Sequence, residues 1–434
     1  MVQRVVGGSA DDMSDDQGLT RPGPAAAVVA RDRFATWMAL LDRPLTSYYL
    51  IIGITALLLG LGLVMVLSTS SVQDLAEGLP PYSDFKKQLL GAAFGLPIMY
   101  FAARSPARLF RAVAYPLLGV SLLGLGLTLI PGVARSAYGA SRWIAIGPLQ
   151  IQPSEFAKLA LVLWGADLLA RKERLRQLED WRHLLIPLLP GAGLLAMLVM
   201  VGDDLGTTFV LLVIFITLLW VIGTPGRIFG GMLALMSIVM LLLAVTSAYR
   251  LKRLTGFVNP QGGAFGPNMQ GIQGKYAVGS GGLFGVGLGA SGEKWGYVPE
   301  STSDFIFAII GEELGLVGTL CVCLLYGGLA FAGLRVARRV QDTFSRLAAA
   351  AITAWIVMQA VVNIGAVIGV LPITGVPLPL VSAGLSSLLV TMIALGMLMS
   401  FARREPGARE ALAARGPALP LRLLSWLGLT QRPE

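Results

Sequence analysis

Charge is scarce in this chain and histidine nearly absent. Charged residues make up 14% of its 434 positions, against about 25% in an ordinary soluble domain, so the chain is not built to fold in water. A single histidine, His183, excludes His-based metal centres and Ser-His triads. The two cysteines, Cys321 and Cys323, fall in one apolar run. Two residues apart, they point in different directions on a helix, which excludes a disulfide between them; they read as packing residues. The first 45 residues carry no cleavable signal pattern, and no polar stretch is large enough to form a separate soluble domain.

What the chain does have is apolar length. Hydrophobic residues make up 55% of it and its mean hydropathy is +0.71. They come in runs of roughly 17–25, long enough to cross a hydrocarbon core of about 30 Å as helices. The runs fall near 48–68, 88–104, 110–130, 154–170, 184–201, 205–223, 227–248, 305–333, 347–370 and 384–402. An all-α membrane protein of about ten spans is expected. A polar tail (1–45) carries an interfacial helix from Arg31 to Arg43; the membrane domain covers 46–404, and a second tail covers 405–434. With both tails in the cytoplasm, Arg104, Arg108 and Arg111, the 171–182 cluster, Arg335–Arg346 and Arg403–Arg409 all lie inside. The net charge of +9 therefore reports topology and contact with anionic membrane lipids, not nucleic acid.

The outer face then receives the Asp203-Asp204 turn, loops at 131–153 and 371–383, and a long loop, 250–304, between spans seven and eight. Thirteen glycines fall in the 35 residues from Gly262 to Gly296, so this backbone can approach a ligand or another backbone closely. Gly287-Leu-Gly-Ala-Ser-Gly292 matches GxGxxG but follows no strand, which argues against a dinucleotide site. The loop ends in Pro299-Glu-Ser-Thr-Ser-Asp304 at the start of an apolar run. Asp304 is open to two readings, a helix N-cap or a general base whose pKa low dielectric raises. Glu312 and Glu313 lie deeper, where carboxylates need partners. Earlier, Gly139-Ala-Ser-Arg142-Trp143 precedes Gln152-Pro-Ser-Glu155-Phe-Ala-Lys158. Glu155 and Lys158, i and i+3 on one face, form either a mutual ion pair or, with Arg142, a cationic site for a phosphate-bearing headgroup. Asn363 and the stretch Leu371-Pro-Ile-Thr-Gly-Val-Pro-Leu-Pro-Leu-Val-Ser-Ala-Gly384 suggest a broken element lining a site, with Thr374 and Ser382 as hydrogen-bonding groups.

Taken in order, these motifs, with Asp204-Leu-Gly-Thr207 and the stretch from Gln270 to Gly289, resemble the SEDS family (shape, elongation, division and sporulation proteins). The resemblance runs from about 48 to 404, and the Pro-Glu before the Asp304 run, with Lys294-Trp-Gly296 upstream, is more similar to the cell-division branch of actinobacterial type. It implies a SEDS fold and a septal peptidoglycan glycosyltransferase of the cytoplasmic membrane. Such enzymes polymerise lipid II, an undecaprenyl-pyrophosphate disaccharide-peptide, into β-1,4 glycan with inversion at the outer face. It implies Asp304 as catalytic residue and Arg142, Glu155, Lys158, Gln270, Gln273 and Ser382 as substrate-binding. It also implies a class B penicillin-binding transpeptidase and division-complex proteins as partners. No cofactor is required by the motifs, and a divalent cation, Mg or Mn, would assist without a dedicated ligand cluster. Leu385 stands where the family usually has glycine, Gly202-Asp203 where it has Gln-Pro, and Gly274 where it has serine. Two rival readings use the same residues: a lipid II flippase with Glu312, Lys158 and the broken helix on its path, and a non-catalytic division scaffold.

Overall fold

Among the described residues, ten helices form where the ten apolar runs fall. The computed structural model describes residues 44–76, 78, 80, 82–130, 134–137, 140–146, 149–175, 181–246, 251, 257, 269–295 and 298–414. In chain order these helices are α1 (Thr46–Ala76), α2 (Ser83–Arg104), α3 (Ala107–Thr128), α4 (Pro153–Arg174), then, after a short α5 (Trp181–Leu185), α6 (Leu188–Val201), α7 (Leu205–Val221) and α8 (Gly226–Thr246). After α9 (Met269–Ser280) in the long loop come α10 (Ile306–Arg339), α11 (Thr343–Val367), α12 (Leu385–Ala402) and a short α13 (Ala408–Ala414). Six of the ten (α1, α3, α8, α10, α11 and α12) are long and apolar enough to cross a membrane by themselves. Helices α6 and α7 are apolar but shorter, α2 carries charged residues at both ends and α4 along its length. The sequence-expected helix at 31–43 lies outside the described residues, as do the tail beyond 414 and most of 247–268.

Burial sorts the bundle. The apolar stretches of α12 and α11 are 83% and 72% buried, whereas that of α8 is 0% buried, so α11 and α12 form the centre and α8 the rim. Helix α2 packs on α12, α3 on α4, and α10 on α11 and α1. Cys321 and Cys323 turn out exposed on α10, facing away from the bundle, which corrects the reading of them as packing residues.

Two further departures concern the loops. Residues 131–153 were expected as a plain loop, yet they hold a three-stranded antiparallel sheet of β1 (Ala134–Ala137), β2 (Ala140–Ile146) and β3 (Leu149–Ile151). Its register pairs Ala134 with Ile144 and Ile144 with Ile151. Strands this short carry too little periodicity to stand out in a membrane chain.

The glycine-rich loop is no loose cover for a ligand where it is described, because it is threaded into α10. That helix is interrupted at Gly315, whose φ of 65° is left-handed. The carbonyls of Glu312 and Glu313 accept from the N–H groups of Val286 (2.9 Å) and Gly287 (3.1 Å), and the N–H groups of Leu316 and Val317 donate to the carbonyls of Gly282 (2.9 Å) and Leu283 (3.2 Å). Irregular backbone at membrane depth must be satisfied by protein, and here a neighbouring loop does it. Glycine is required at the crossing: a Cβ on Gly281 would overlap the Gly311 carbonyl oxygen, and one on Gly285 that of Glu313.

Candidate active site

The segment carrying Asp304 is held by backbone hydrogen bonds at three successive carbonyls. Ala383 N–H donates to the Thr302 oxygen (2.9 Å), Ser382 Oγ to that of Ser303 (2.6 Å) and Asn363 Nδ2 to that of Asp304 itself (2.8 Å). Gln270 Nε2 steadies the approach by donating to the Pro299 carbonyl (3.1 Å). Helix α10 begins only at Ile306, with Phe305 in the capping position and no capping side chain. Asp304 thus precedes the cap, and it is partly exposed at the head of the helix.

Around it runs the 371–384 turn, gripped from many sides. Asn363 Nδ2 also donates to the Val376 carbonyl (2.8 Å), Gln359 Nε2 to that of Pro377 (2.9 Å) and Tyr326 Oη to that of Pro379 (2.5 Å). Ser382 Oγ, besides donating to Ser303, accepts from Leu378 N–H (2.8 Å). It is buried and serves the turn rather than an open surface. Thr374 Oγ1 is buried with no partner among the described residues. Gln273, on α9, is half-buried. Leu385 opens α12 in helical conformation, where a side chain costs nothing, and it packs on Gly91. The replacement of the usual glycine thus leaves the turn intact. At Gly274, a serine Cβ would come within 2.7 Å of the Phe305 ring, so the glycine and Phe305 fit as a pair.

Lys158 is 1% exposed. Its ammonium donates to Glu155 (2.8 Å) and to Gln359 Oε1 (3.0 Å) and lies 5.1 Å from the Trp355 ring centroid; Trp355 Nε1 also donates to Gln359 Oε1 (2.8 Å). Of the two readings left open for this pair, the structure shows the mutual ion pair. Trp355, Gln359 and Asn363 are spaced i, i+4, i+8, so one face of α11 links Lys158 to Asp304. That spacing in an apolar run was the missed signal for Trp355 and Gln359. Arg142, on β2, donates to the Asp203 carbonyl and lies 3.9 Å from the Asp204 carboxylate. Asp204 caps α7 by accepting from Thr207 N–H (3.0 Å) and also accepts from Gln152 Nε2 (3.3 Å). The Arg142 Nε finds no partner among the described residues.

Both deep glutamates are paired. Glu312 accepts from Ser291 Oγ (2.5 Å) and Gly292 N–H (2.9 Å), so the GxGxxG stretch cradles a carboxylate of its own chain. Glu313 accepts from Ser68 Oγ (2.7 Å) and Lys294 Nζ (3.3 Å). Nearby, burial and then the Glu312 charge push the Glu293 carboxyl above its usual range. Among the described residues no three His, Cys, Asp or Glu side chains gather as a metal site.

Fold and site together define a multi-spanning membrane protein with its polar machinery at one end of the bundle, where the segment carrying the partly exposed Asp304 is locked by Asn363, Ser382 and Ala383. Residues 48–406 match the family model of FtsW, RodA and SpoVE, described as cell cycle proteins, and the chain belongs to that family. It is 42% identical over 395 residues to a probable peptidoglycan glycosyltransferase FtsW of Mycobacterium tuberculosis, covering 91% of this chain and 74% of that one. It is 37% identical over 356 residues to stage V sporulation protein E of Bacillus subtilis, covering 82% and 96%. Among solved structures, RodA of Thermus thermophilus superposes with a TM-score of 0.59 at 28% identity, covering 82% and 96%. A chain from a peptidoglycan synthase complex that coordinates polymerisation and crosslinking gives 0.65 at 26%, covering 81% and 96%.

Proposed function

We propose that this chain is a peptidoglycan glycosyltransferase that extends glycan strands from lipid II at the outer face of the cytoplasmic membrane, with Asp304 as general base. The observation that carries the reading is the triple backbone lock at 302–304, which holds a partly exposed carboxylate in a fixed place, as proton transfer requires. The carboxylate takes the proton from the 4-hydroxyl of the acceptor GlcNAc as that oxygen attacks the anomeric carbon of the donor MurNAc. The new glycosidic bond forms with inversion as the bond to the lipid pyrophosphate breaks. Arg142, with an unpartnered N–H, is the group we assign to the diphosphate charge that develops. Lys158 is committed within the protein, so its part is to hold Glu155 and Gln359, and through them the turn. Gln270 and Gln273 border the acceptor side. A Mg or Mn ion would enter with the diphosphate and share its charge with Arg142.

The transporter reading loses support, since Glu312 and Lys158, the charges on its path, are both partnered within the protein and the broken 371–384 stretch is gripped by Asn363, Gln359 and Tyr326. A class B penicillin-binding transpeptidase is the partner we infer, because the synthase complex related in structure couples polymerisation to crosslinking.

The deciding experiment is polymerisation of purified lipid II by the full chain with its cognate transpeptidase, wild type beside Asp304→Asn. Long glycan from the wild type and a loss of about 10²–10⁴-fold in a folded Asp304→Asn protein are expected. Equal polymer from both would remove Asp304 from the chemistry. Lipid II scrambling without polymer would make the chain a transporter.

A further inference from the structure

We propose that Gln88, on α2, is a positioning residue for glycosyl transfer, fixing the turn to which the Asp304 segment is bonded. The inference rests on Asp304 being the base. Nothing in the local sequence marks Gln88, which sits in Phe85-Lys-Lys-Gln-Leu-Leu near the start of a spanning helix. Yet it is 1% exposed, and its amide reaches across the bundle to the far end of the chain. Nε2 donates to the Ser382 carbonyl (3.1 Å), and Oε1 accepts from Gly384 N–H (3.2 Å). The partners fix which end of the amide is which. A flipped amide would set oxygen against oxygen and N–H against N–H.

Gln88 therefore grips both ends of a three-residue turn, Ser382-Ala383-Gly384. From the other side of that turn, Ala383 N–H holds the Thr302 carbonyl and Ser382 Oγ holds that of Ser303. Of the three ties that lock carbonyls 302, 303 and 304, two run through the turn that Gln88 holds, and only the third, from Asn363, does not. The chemistry of the grip is specific. It needs one donor and one acceptor on a planar group, both buried. Glutamate keeps the shape but loses the donor and turns a carboxylate toward a carbonyl. Leucine leaves a buried carbonyl and N–H unmet. Asparagine keeps both functions one methylene short. The turn retains its own bond from Leu378 N–H to Ser382 Oγ, so losing Gln88 shifts it rather than unfolds it. A base displaced by about 1 Å slows the reaction by about 10²-fold, whereas substrate affinity is set by other groups.

The test uses the full chain with its cognate transpeptidase and purified lipid II, measuring kcat, KM and melting temperature for Gln88→Leu, Gln88→Glu and Gln88→Asn. The expected result is a fall in kcat of about 10- to 100-fold for the leucine and glutamate variants, with KM within about twofold and part of kcat recovered by asparagine. Wild-type kcat in folded Gln88→Leu, or a loss of kcat that only tracks the loss of folded protein, overturns the role. Should the leucine variant not fold, the isosteric Gln88→Glu decides by the same criteria. An active Asp304→Asn removes the base and this role with it. An inactive Asp304→Asn beside a fully active, folded Gln88→Leu overturns Gln88 alone.

Discussion

Lys158 and Glu155 are 1% exposed each, and one oxygen of the glutamate, Oε2, finds no partner among the described residues. Two charges this deep are kept together by need: each is tolerable only because the other is there. Gln359 and the Trp355 ring share the ammonium, which ties α4 to α11 and, through Pro377, to the turn beside Asp304. Lys158→Met should therefore destabilise the protein by about 3–5 kcal/mol, as breaking one partner of a buried pair does, while the double change with Glu155→Met should recover most of that loss. Denaturation of the detergent-solubilised protein would measure it. A double variant as unstable as the sum of the singles would mean that the pair is not coupled. The motif made this pair visible in the sequence, since i, i+3 spacing places both side chains on one face. Gln359 carried a signal of its own in its i, i+4, i+8 spacing with Trp355 and Asn363, but its partner could not be read, because it stands 201 positions away and no local period connects them.

At the scale of elements, the break in α10 is where sequence and structure part most. Ten spans could be read from apolar run length alone, and the ends of most fall within a few residues of the helices observed. The glycine density of 262–296 also showed that close backbone approach was intended, but not to what. The answer lies in pairings such as Val286 with Glu312 and Leu316 with Gly282, whose register only the folded chain sets. The consequence is sharp for substitution. Gly285 has a φ of 80°, and a Cβ there would strike the Glu313 carbonyl, so Gly285→Ala faces both backbone strain and a clash with an immovable group. It should lower stability by more than 2 kcal/mol, combining the penalty for alanine at positive φ with overpacking. Gly53→Ala, in α1 with nothing within 4 Å, should change stability by less than about 0.5 kcal/mol. Proteolysis of the 281–295 stretch in native membranes would compare the two. Equal protection in both variants would show that the loop is not seated in the helix break.

Across the whole molecule, the basic loops and the polar machinery occupy opposite ends. At one end Arg403 and Arg404 donate to the carbonyls of Ala103 and Ser105, Arg346 pairs with Glu173 (3.1 Å) and Arg111 pairs with Asp342 (2.8 Å). The loops richest in arginine are thus fastened to one another. At the other end lie the small sheet, the 371–384 turn and Asp304. From the excess of Lys and Arg we propose the first end as the cytoplasmic one, an orientation that would set the site on the outer face. Labelling with a membrane-impermeant maleimide tests this in a background with Cys321→Ser and Cys323→Ser, both of which face outward on α10. Trp295 is 68% exposed and Leu175 64% exposed, so the protein itself does not shield a cysteine at either. Trp295→Cys should label in cells with an intact inner membrane, and Leu175→Cys only after that membrane is opened. The reverse pattern would put Asp304 in the cytoplasm, where a glycan polymerase would consume its lipid-linked substrate before it crossed the membrane, and the proposed function would fall with the topology.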